Sequence, residues 1–576
     1  MIRKALPALL LLMTVVDVSG QGYRSMSVWQ EGAAREFSLV TLDSMVFEND
    51  QVSITADSKI AGEIEVSSID SITLSVPDIV STNKLTAKQL QDAFDEVSVK
   101  LISFKKVGNG NPLMGHKFGA DPFGMVDGDR LYVYMTDDHL YRSTDGKPIT
   151  GAWDYTDCKK VSIISSDDLV NWTDHGTQSV AGNGGPASWA SQMWAPCAAH
   201  KTIDGKEKYF MYFSNNSSGI GVLTADTPYG PWKDPIGRAM ISHSTPNCGG
   251  NVVPSVYDPA VLVDDDGKAY IYFGGGFKDD NPSDPGTARC VQLGDDMVSI
   301  VGTPVKINPP YLFEDAGINK VGGKYLYSYC SNFKAGNEGP GSGNVAYMRA
   351  DSPLGPFTYV GRCFENPGSA GWAGGGGNHH HAFIEFKGKY YALYHTRTLK
   401  SAMRSSNKDI NDNVELRSTC ISEIKVDTTK STISNLSASS ISEEGVAQVR
   451  SFDPYREVPG PTMAWERNVT TKYFKYKSEW ICTAEMTADS WMCLSKVDFQ
   501  DGAEGFTAQV RGKGMIAVTT DYAGKWGTYV AIAEVNSPDE YSEIRVPLIK
   551  KVEGVQSKLY ITASDKISLK SWSFIR

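Results

Sequence analysis

The 576-residue chain has few cysteines, no excess of positive charge and no long apolar run beyond its first residues. Nine cysteines, an odd number, are too few for a disulfide-based scaffold, and no Cys-x-x-Cys pair indicates a zinc site. The sequence leaves open whether Cys482 pairs with Cys493. A net charge of −11 argues against the basic surface that nucleic-acid binding requires, so we expect no nucleic-acid partner.

The first residues have the features of a secretory signal. Two basic residues precede an apolar stretch at residues 5–16, and two small residues follow it. This stretch is too short to cross a bilayer, which takes about 20 apolar residues. We therefore interpret residues 1–20 as a signal peptide and expect a secreted, extracellular protein without a membrane span. A buried N-terminal helix is the alternative.

Length and composition, 41% apolar and 21% charged, indicate a globular protein of several domains. Residues 21–97 predict a small β-rich module and linker, because two similar stretches at 37–47 and 64–74 alternate apolar and polar residues. An attachment element and a spacer are equally supported roles for it. Residues 451–576 contain short alternating strands between polar turns, which predict a β-sandwich.

Between these regions, residues 98–450 contain one pattern five times. Each copy has a polar or aromatic residue, a short apolar strand, a glycine turn that is usually Asp-Gly, and an aromatic-rich strand. Asp-Gly between apolar runs is a strong hairpin signal. Five such units predict a five-bladed β-propeller, with a sandwich as the alternative, and hence an all-β fold class. The copies begin at Asp121, Trp194, Asp258, Glu314 and His380.

These five starting residues should converge, because the innermost strand of each propeller blade begins beside the central channel. Three of them are acids, Asp121, Asp258 and Glu314. Acids held close together have separated pKa values, so one can stay protonated while another is charged. Glycoside cleavage needs one acid to protonate the leaving oxygen and one carboxylate to activate water or attack carbon. The alternative is that Asp121 and Asp258, each followed by proline, only start turns.

The motifs around these positions resemble glycoside hydrolase family 43 over about residues 104–448. They are Ala120-Asp121-Pro122, Trp194-Ala195-Pro196, Tyr257-Asp258-Pro259-Ala260-Val261, Asp264-Asp265-Asp266-Gly267, Phe313-Glu314 and Asn378-His379-His380-His381-Ala382-Phe383. The resemblance implies a propeller that inverts anomeric configuration at arabinosides and xylosides. It implies Asp121 as the general base, Glu314 as the general acid and Asp258 as the residue that tunes and orients the acid. Inversion requires base and acid to stand roughly 6.5–9.5 Å apart.

The resemblance also implies supporting residues. Trp194 would stack on a sugar face, Arg417 would reach towards the base, and Asn378 and His395 would contact hydroxyls. His380 would be the central histidine near a structural calcium that is largely hydrated, and no organic cofactor is expected. Calcium prefers oxygen ligands, and successive histidines on a strand point to alternating faces, so the three histidines of the motif should not form one metal cluster.

Three longer stretches resemble the branch of the family that releases arabinofuranose from arabinoxylan. They are residues 164–175, 220–226 and 313–320. The implied function is an α-L-arabinofuranosidase that acts on plant arabinoxylan or its oligosaccharides. A β-xylosidase, or a bifunctional enzyme acting on xylo-oligosaccharides, is the alternative within the same class. A non-catalytic sugar-binding propeller is the alternative outside it.

The C-terminal region resembles carbohydrate-binding module family 6 at residues 451–458 and 462–465. It departs from that family in its binding cleft: Glu485 replaces a tyrosine, Tyr541 a tryptophan and Lys570 an acid. It also lacks the paired glutamates of a structural calcium site. We expect the fold to persist and sugar binding to be weak or absent.

Overall fold

The computed structural model describes residues 25–30, 33–38, 42–48, 51–56, 59–65, 69, 71–75, 79–97, 103–139, 155–277, 280–406, 415–522 and 527–576. The predicted all-β fold class is confirmed: a five-bladed β-propeller is accompanied by a C-terminal domain built on a curled β-sheet. Two α-helices are present in this part of the chain, α1 (Ala87–Asp95) and α2 (Thr398–Ser406). No helix within the described ranges is long and apolar enough to span a bilayer. The predicted signal peptide lies outside the described residues.

The chain divides into two compact units. One unit contains the propeller, residues 100–451, together with residues 461–495. The other contains residues 452–460 and 496–576 with the described part of residues 1–99. The domain boundaries drawn from the sequence stay predictions.

The described N-terminal residues form two three-stranded antiparallel sheets. Their strands are β1 (Ser25–Gln30), β2 (Ala33–Ser38), β3 (Leu42–Glu48), β4 (Gln51–Ala56), β5 (Lys59–Glu65) and β6 (Ser71–Ser75). Strand β1 lies between β2 and β6, and β4 lies between β3 and β5. Helix α1 follows, and its start is fixed by a capping box in which Thr86 and Gln89 exchange side-chain-to-backbone hydrogen bonds.

Each propeller blade is an antiparallel meander. The blades contain, in order, β7 (Ala120–Asp127), β8 (Arg130–Thr136), β9 (Lys160–Ser166) and β10 (Trp172–Ser179); β11 (Trp194–Ile203), β12 (Lys206–Ser214), β13 (Gly219–Ala225) and β14 (Ile241–Ser242); β15 (Ala260–Val263), β16 (Ala269–Phe273), β17 (Ala288–Leu293) and β18 (Ile300–Ile307); β19 (Leu312–Val321), β20 (Lys324–Ser331), β21 (Val345–Ala350) and β22 (Thr358–Phe364); and β23 (His381–Phe386), β24 (Lys389–Thr396) and β25 (Ser418–Ile424). The predicted Asp-Gly hairpins occur: Asp204 and Gly205 between β11 and β12 both have positive φ, 51° and 73°.

The five inner strands form a closed ring. Strands β7, β11, β15, β19 and β23 each contact the next, and β23 contacts β7. The fifth blade has three strands, and the segment before β7 runs along its outer strand. There the Leu113 N–H donates to the Thr419 carbonyl at 2.8 Å and the Gly119 N–H to the Arg417 carbonyl at 3.0 Å. The beginning of the propeller is thereby joined to its last blade.

Tyrosines of the aromatic-rich second strands connect neighbouring blades. The Tyr212 hydroxyl donates to the Met297 carbonyl at 2.7 Å, and the Tyr272 hydroxyl donates to the Pro353 carbonyl at 2.6 Å. Each acceptor lies in the following blade, and each ring is fully buried. The aromatic residues of the repeat therefore serve the packing between blades, because a buried phenol needs a hydrogen-bond partner.

Further strands follow the propeller: β26 (Val426–Asp427), β27 (Thr432–Ile433), β28 (Val458–Pro459), β29 (Thr462–Met463), β30 (Trp465–Arg467), β31 (Thr470–Tyr476), β32 (Glu479–Met486) and β33 (Trp491–Asp498). Strand β29 adds a fifth strand to the first blade by pairing with β10. The hairpin β31–β32 also contacts β10, and the Thr471 hydroxyl donates to the buried Asp174 carboxylate at 2.7 Å. These contacts explain why residues 461–495 belong with the propeller.

The other unit is built on four long strands, β34 (Ala503–Thr519), β35 (Tyr529–Val552), β36 (Val555–Ala563) and β37 (Ile567–Ile575). Strand β34 pairs with the other three. Helix α1 packs on β35, where Phe94 meets the Tyr529 ring edge-on at 6.1 Å and the Tyr529 hydroxyl donates to Asp95 at 2.7 Å. The nine cysteines are all free, so the pairing of Cys482 with Cys493 does not occur.

Candidate active site

Four of the five inner strands begin with the same backbone irregularity. The residues with left-handed φ values are Asp121 (49°), Ala195 (39°), Asp258 (50°) and Asp315 (71°). In β7, β11 and β19 the hydrogen-bond register shifts at this point, as in a β-bulge. The structure therefore corrects the phase of the sequence repeat. Trp194 and Glu314 come one residue before the position that Asp121 and Asp258 occupy.

These strand starts surround a cavity of about 380 Å³. Seven of the eight residues predicted from the sequence line it: Asp121, Trp194, Asp258, Glu314, Asn378, His380 and Arg417. The eighth, His395, is buried and contacts Asp121 instead. Eight further residues complete the lining, and none of them was predicted as a site residue: Tyr155, Ala195, Tyr257, Phe313, Phe333, Gly377, Arg397 and Glu415. Three of these, Ala195, Tyr257 and Phe313, stand next to predicted residues in the family motifs.

Asp121 is held as a charged carboxylate. Arg417 Nη1 donates to its Oδ1 at 2.7 Å, and the Thr136 hydroxyl donates to its Oδ2 at 2.8 Å. Burial alone would raise the pKa of Asp121, but the positive charges of Arg417 and His380 outweigh burial and hold that pKa well below its usual range. Asp121 is therefore ionised near neutral pH, which is the state that a general base requires.

Arg417 is itself fixed by Asp138, a residue that the sequence analysis missed. The Asp138 carboxylate accepts from the Arg417 backbone N–H at 2.8 Å, from Nε at 2.9 Å and from Nη2 at 3.0 Å. The guanidinium also lies over the Tyr155 ring, 5.6 Å from its centre. Asp138 follows the second strand of the first blade, a position that carries no sequence signal for a site.

His395 is a neutral imidazole with both nitrogens engaged. Its Nδ1 accepts the Asp121 backbone N–H at 3.2 Å, so the proton lies on Nε2, which donates to the Asn378 carbonyl at 3.1 Å. Burial lowers the pKa of His395 to about 4. A sugar hydroxyl would have to displace one of these partners. The contacts of His395 position Asp121 and Asn378.

Glu314 is the acid of the site that stays protonated near neutral pH. Burial raises the pKa of Glu314 to about 8; the positive His380 opposes the rise and the negative Asp258 adds to it. Its Oε2 accepts a long hydrogen bond from the Tyr257 hydroxyl at 3.4 Å. Its Oε1 is buried and has no hydrogen-bond partner among the described residues, while the side chain lines the cavity. Glu314 therefore has an oxygen available to donate a proton to a bound ligand.

His380 stands between the acids. Its Nε2 lies 3.1 Å from Asp258 Oδ2 and 4.0 Å from Glu314 Oε1, and its Nδ1 lies 3.3 Å from Asp315 and 4.0 Å from Asp121. Burial alone would lower the pKa of His380, but these carboxylates outweigh it and hold the pKa well above its usual range. The protonated ring thus donates to Asp258 and separates Asp121 from Glu314.

The three consecutive histidines face different surroundings, but only His381 lies in strand β23. The alternation of faces expected along a strand therefore does not apply to His379 and His380. His381 bonds to Asp315 and, through Nε2, lies 2.8 Å from the Ser328 hydroxyl. His379 is fully buried against the edge of Phe364, with ring centres 4.5 Å apart. Asp315 was not predicted from the sequence. It occupies the same left-handed position at its strand start as Asp121 and Asp258, so its place in the repeat could have identified it.

The residues around His380 do not provide a calcium site of side-chain oxygens. Asp258, Glu314 and His380 offer ligand atoms within 4.8 Å of one another. Calcium takes six to eight oxygen ligands, whereas only Asp258 and Glu314 of these three residues offer oxygen and His380 offers nitrogen. A structural calcium therefore stays a prediction of the resemblance, and no step below depends on it.

Aromatic side chains form the apolar walls of the cavity. Trp194 donates its indole N–H to the Tyr155 carbonyl at 2.8 Å, and the two rings meet edge-on at 6.1 Å. Phe313 and Phe333 also line the cavity, with ring centres 6.0 Å apart, and Phe333 is 54% exposed. Rigid apolar faces of this kind suit the C–H faces of a sugar ring.

Comparison with protein families gives one match that covers more than half of the chain. Residues 110–428 match the model of glycosyl hydrolases family 43. This segment includes all eight site residues named from the sequence.

Three relatives match between about half and about three quarters of the chain. An arabinoxylan arabinofuranohydrolase of Paenibacillus polymyxa is 42% identical over 423 residues, 70% of this chain and 63% of the relative. The chain thus spans less than two thirds of that protein. An arabinoxylan arabinofuranohydrolase of Bacillus subtilis is 40% identical and covers 73% of this chain and 82% of the relative. A xylosidase/arabinosidase of Bacteroides ovatus is 29% identical, covering 48% of this chain and 85% of the relative.

One solved structure resembles the chain over most of its fold. It is a glycoside hydrolase family 43 arabinoxylan arabinofuranohydrolase from Bacillus subtilis in complex with cellotetraose. The TM-score is 0.74 at 36% identity, and the match covers 82% of this chain and 99% of that structure.

Proposed function

The chain belongs to glycosyl hydrolases family 43 and is a glycoside hydrolase, and from that premise we propose that it removes α-L-arabinofuranosyl groups from arabinoxylan with inversion. The relatives named arabinoxylan arabinofuranohydrolases support the choice of sugar and polymer. The single observation that carries the proposal is the separation of pKa values in one cavity. Asp121 is ionised, while Glu314, on the other side of His380, is protonated.

In the proposed reaction, the pentose lies in the cavity between Asp121 and Glu314. Asp121 takes a proton from a water molecule, which attacks the anomeric carbon. Glu314 gives its proton to the leaving oxygen through the unpaired Oε1. The imidazolium of His380 between the two carboxyls supports inversion, since it keeps them apart and leaves room for a water.

Asp258 tunes the acid in this proposal. The negative charge of Asp258 raises the pKa of Glu314 further. Burial raises the pKa of Asp258 itself, and the positive charge of His380 opposes that rise. Its Oδ2 accepts from the Asp315 backbone N–H at 3.1 Å and from His380 at 3.1 Å, which fixes the carboxylate next to the acid. Arg417 and Asp138 keep Asp121 oriented and charged.

The test of the proposed function is the sugar released from arabinoxylan. We expect free arabinose, and we expect proton NMR to show the inverted anomer before mutarotation. Free xylose would identify the β-xylosidase alternative, and release of neither sugar would favour the non-catalytic propeller. A retained first product would contradict inversion and would mean that one carboxylate acts as a nucleophile.

We also propose export through residues 1–20, supported by their charge and apolar pattern. The experiment is the N-terminal sequence of the protein recovered from the culture medium of the producing cell. A start near residue 21 is expected. A protein that stays within the cells with residues 1–20 attached would contradict export.

We also propose that residues 451–576 resemble carbohydrate-binding module family 6 and that this region binds sugar weakly or not at all. In support of weak binding, the Arg511 guanidinium covers the Tyr541 ring at 5.0 Å, and the Tyr541 hydroxyl lies 2.6 Å from the Ser568 hydroxyl. A covered ring offers little apolar face to a sugar.

We therefore expect Tyr541→Ala to change the retardation of the full-length protein in a xylan-containing gel by less than about twofold. The measurement uses Glu314→Gln as background, so that the polymer stays intact. Trp194→Ala in the same background is the comparison and should weaken retardation more. Loss of most retardation in Tyr541→Ala would show that Tyr541 does bind xylan.

A further inference from the structure

Arg397 and Glu415 form an ion pair in the wall of the cavity that the proposed reaction does not use. Arg397 Nε donates to Glu415 Oε2 at 2.8 Å, and Nη2 donates to the same oxygen. Both side chains line the cavity. Neither one contacts Asp121, Asp258 or Glu314 through any hydrogen bond in the described part of the chain.

Backbone hydrogen bonds on both sides fix the main chain at Arg397. Its N–H donates to the Ala373 carbonyl at 2.8 Å, and its carbonyl accepts from the Ser401 N–H at 3.0 Å, so the residue joins β24 to α2. The guanidinium lies against Gly377, where a Cβ atom would collide with it. The absence of a side chain at Gly377 is therefore what allows the guanidinium to reach the cavity.

Arg397 differs from Arg417 in what its donors do. Arg417 uses Nε, Nη1 and Nη2 on Asp138 and Asp121, which leaves it little capacity for a ligand. Arg397 uses Nε and Nη2 on a single oxygen, and its Nη1 has no partner among the described residues. An arginine carries five N–H donors, so Arg397 still has N–H groups that can donate to a ligand.

Glu415 likewise keeps one oxygen available. Its Oε2 accepts both Arg397 donors, and its Oε1 makes no hydrogen bond within the described ranges. A donor at Arg397 Nη1 and an acceptor at Glu415 Oε1 thus remain available on one ion pair in the cavity wall. Two neighbouring hydroxyls of a sugar match this arrangement, because one hydroxyl can accept while the next donates.

Exposure places Glu415 nearer the mouth of the cavity than the catalytic acids, while its partner Arg397 is as buried as Glu314. The Glu415 side chain is 28% exposed, whereas the side chains of Arg397, Asp121 and Glu314 are 10%, 6% and 10% exposed. Phe333, at 54% exposure, also lies on the lining. A sugar held between the acids is the one that is cleaved off, so a group nearer the mouth meets the sugar to which it was attached.

We propose that Arg397 and Glu415 determine specificity by binding neighbouring hydroxyls of the xylose unit that carries the arabinosyl group. This inference rests on the proposed function, since it concerns the polymer side of the same cavity. The guanidinium donates to one hydroxyl and the carboxylate accepts from the other. The ion pair holds both groups in place before the polymer binds, so no side-chain ordering is needed on binding.

The experiment compares two substrates for Arg397→Lys. One is an arabinoxylan oligosaccharide, and the other is 4-nitrophenyl α-L-arabinofuranoside, which has the arabinose but no xylose. We expect kcat/KM on the oligosaccharide to fall about 10- to 100-fold, mainly through KM, because lysine lacks the planar fork. On the aryl arabinoside we expect a change of less than about twofold. Glu415→Gln should show the same dependence on substrate.

A matched control is available in the same unit. Arg467 donates through Nε and Nη2 to Asp489 Oδ2, at 3.1 and 2.8 Å, and neither residue lines the cavity. Arg467→Lys should leave the ratio of the two kcat/KM values unchanged. Thermal unfolding of each variant separates loss of folded protein from loss of binding.

Three outcomes overturn the inference. An equal fall on both substrates would mean that the pair acts on the arabinose or on the fold. Unchanged kinetics on the oligosaccharide would mean that it binds no xylose. If the wild-type chain releases arabinose from neither substrate, the proposed function itself fails, and that failure is distinct because it does not involve a variant.

Discussion

Asp121→Asn should lower kcat on arabinoxylan by about 10²- to 10⁴-fold, the range measured when a general base is removed. The amide keeps the shape of the carboxylate, and its single oxygen can still accept from Arg417 while its NH2 group faces the Thr136 hydroxyl, which can accept from it. The amide cannot take a proton from water. Arg417 remains paired with the Asp138 carboxylate in this variant, so we expect the pocket to stay folded. Steady-state kinetics of arabinose release measure the effect, with binding of an arabinoxylan oligosaccharide by calorimetry retained.

Two further variants separate a base from a residue that only orients its neighbours. Asp127→Asn makes the same change at the far end of β7, where the Asp127 carboxylate accepts from the Tyr209 hydroxyl at 2.8 Å, and it should leave kcat within about twofold. Azide should restore part of the turnover of Asp121→Ala, because this anion attacks carbon without losing a proton. Turnover of Asp121→Asn within tenfold of the wild type would remove Asp121 from the role of base.

The blades could be predicted because their signal is local. Each Asp-Gly turn lies between two apolar runs, and a tight turn with positive φ imposes the hairpin whatever the rest of the chain does. The fifth blade differs because its outer edge is completed by residues 111–119, far away in sequence. The addition of β29 to the first blade has the same cause. Pairings of this kind depend on tertiary contacts that no local pattern records.

The site residues that belong to the sequence repeat could be predicted, and those outside the repeat could not. Asp121, Asp258 and Glu314 were found because they recur at strand starts, although the bulge places Glu314 one residue out of phase with the other two. Asp138 belongs to no repeat and reaches the site only through its contact with Arg417, and Glu415 lines the cavity but likewise belongs to no repeat. A charged residue that acts by holding another side chain in place has no fixed sequence distance from the site, so no motif or repeat predicts it.

Glu314→Gln should remove the alkaline limb of the activity profile. The acid must be protonated to work, and burial raises the pKa of Glu314 to about 8, so kcat/KM of the wild type should fall as pH rises through about 8. The base works ionised, and the pKa of Asp121 is held well below its usual range, so activity should persist to low pH until the fold is lost. A glutamine has no proton to lose, and the remaining activity of the variant should not fall at pH 8.

The same variant should also depend on the leaving group. On arabinoxylan, whose leaving oxygen is a poor one, we expect kcat to fall about 10²- to 10⁴-fold. On 2,4-dinitrophenyl α-L-arabinofuranoside the leaving group needs no protonation, so the fall should be less than about tenfold. Glu338→Gln makes the same change on the surface, where Glu338 accepts from the Tyr311 hydroxyl at 2.9 Å, and should leave both rates unchanged. Equal losses of Glu314→Gln on both substrates would mean that Glu314 binds or orients the sugar rather than protonating the leaving oxygen.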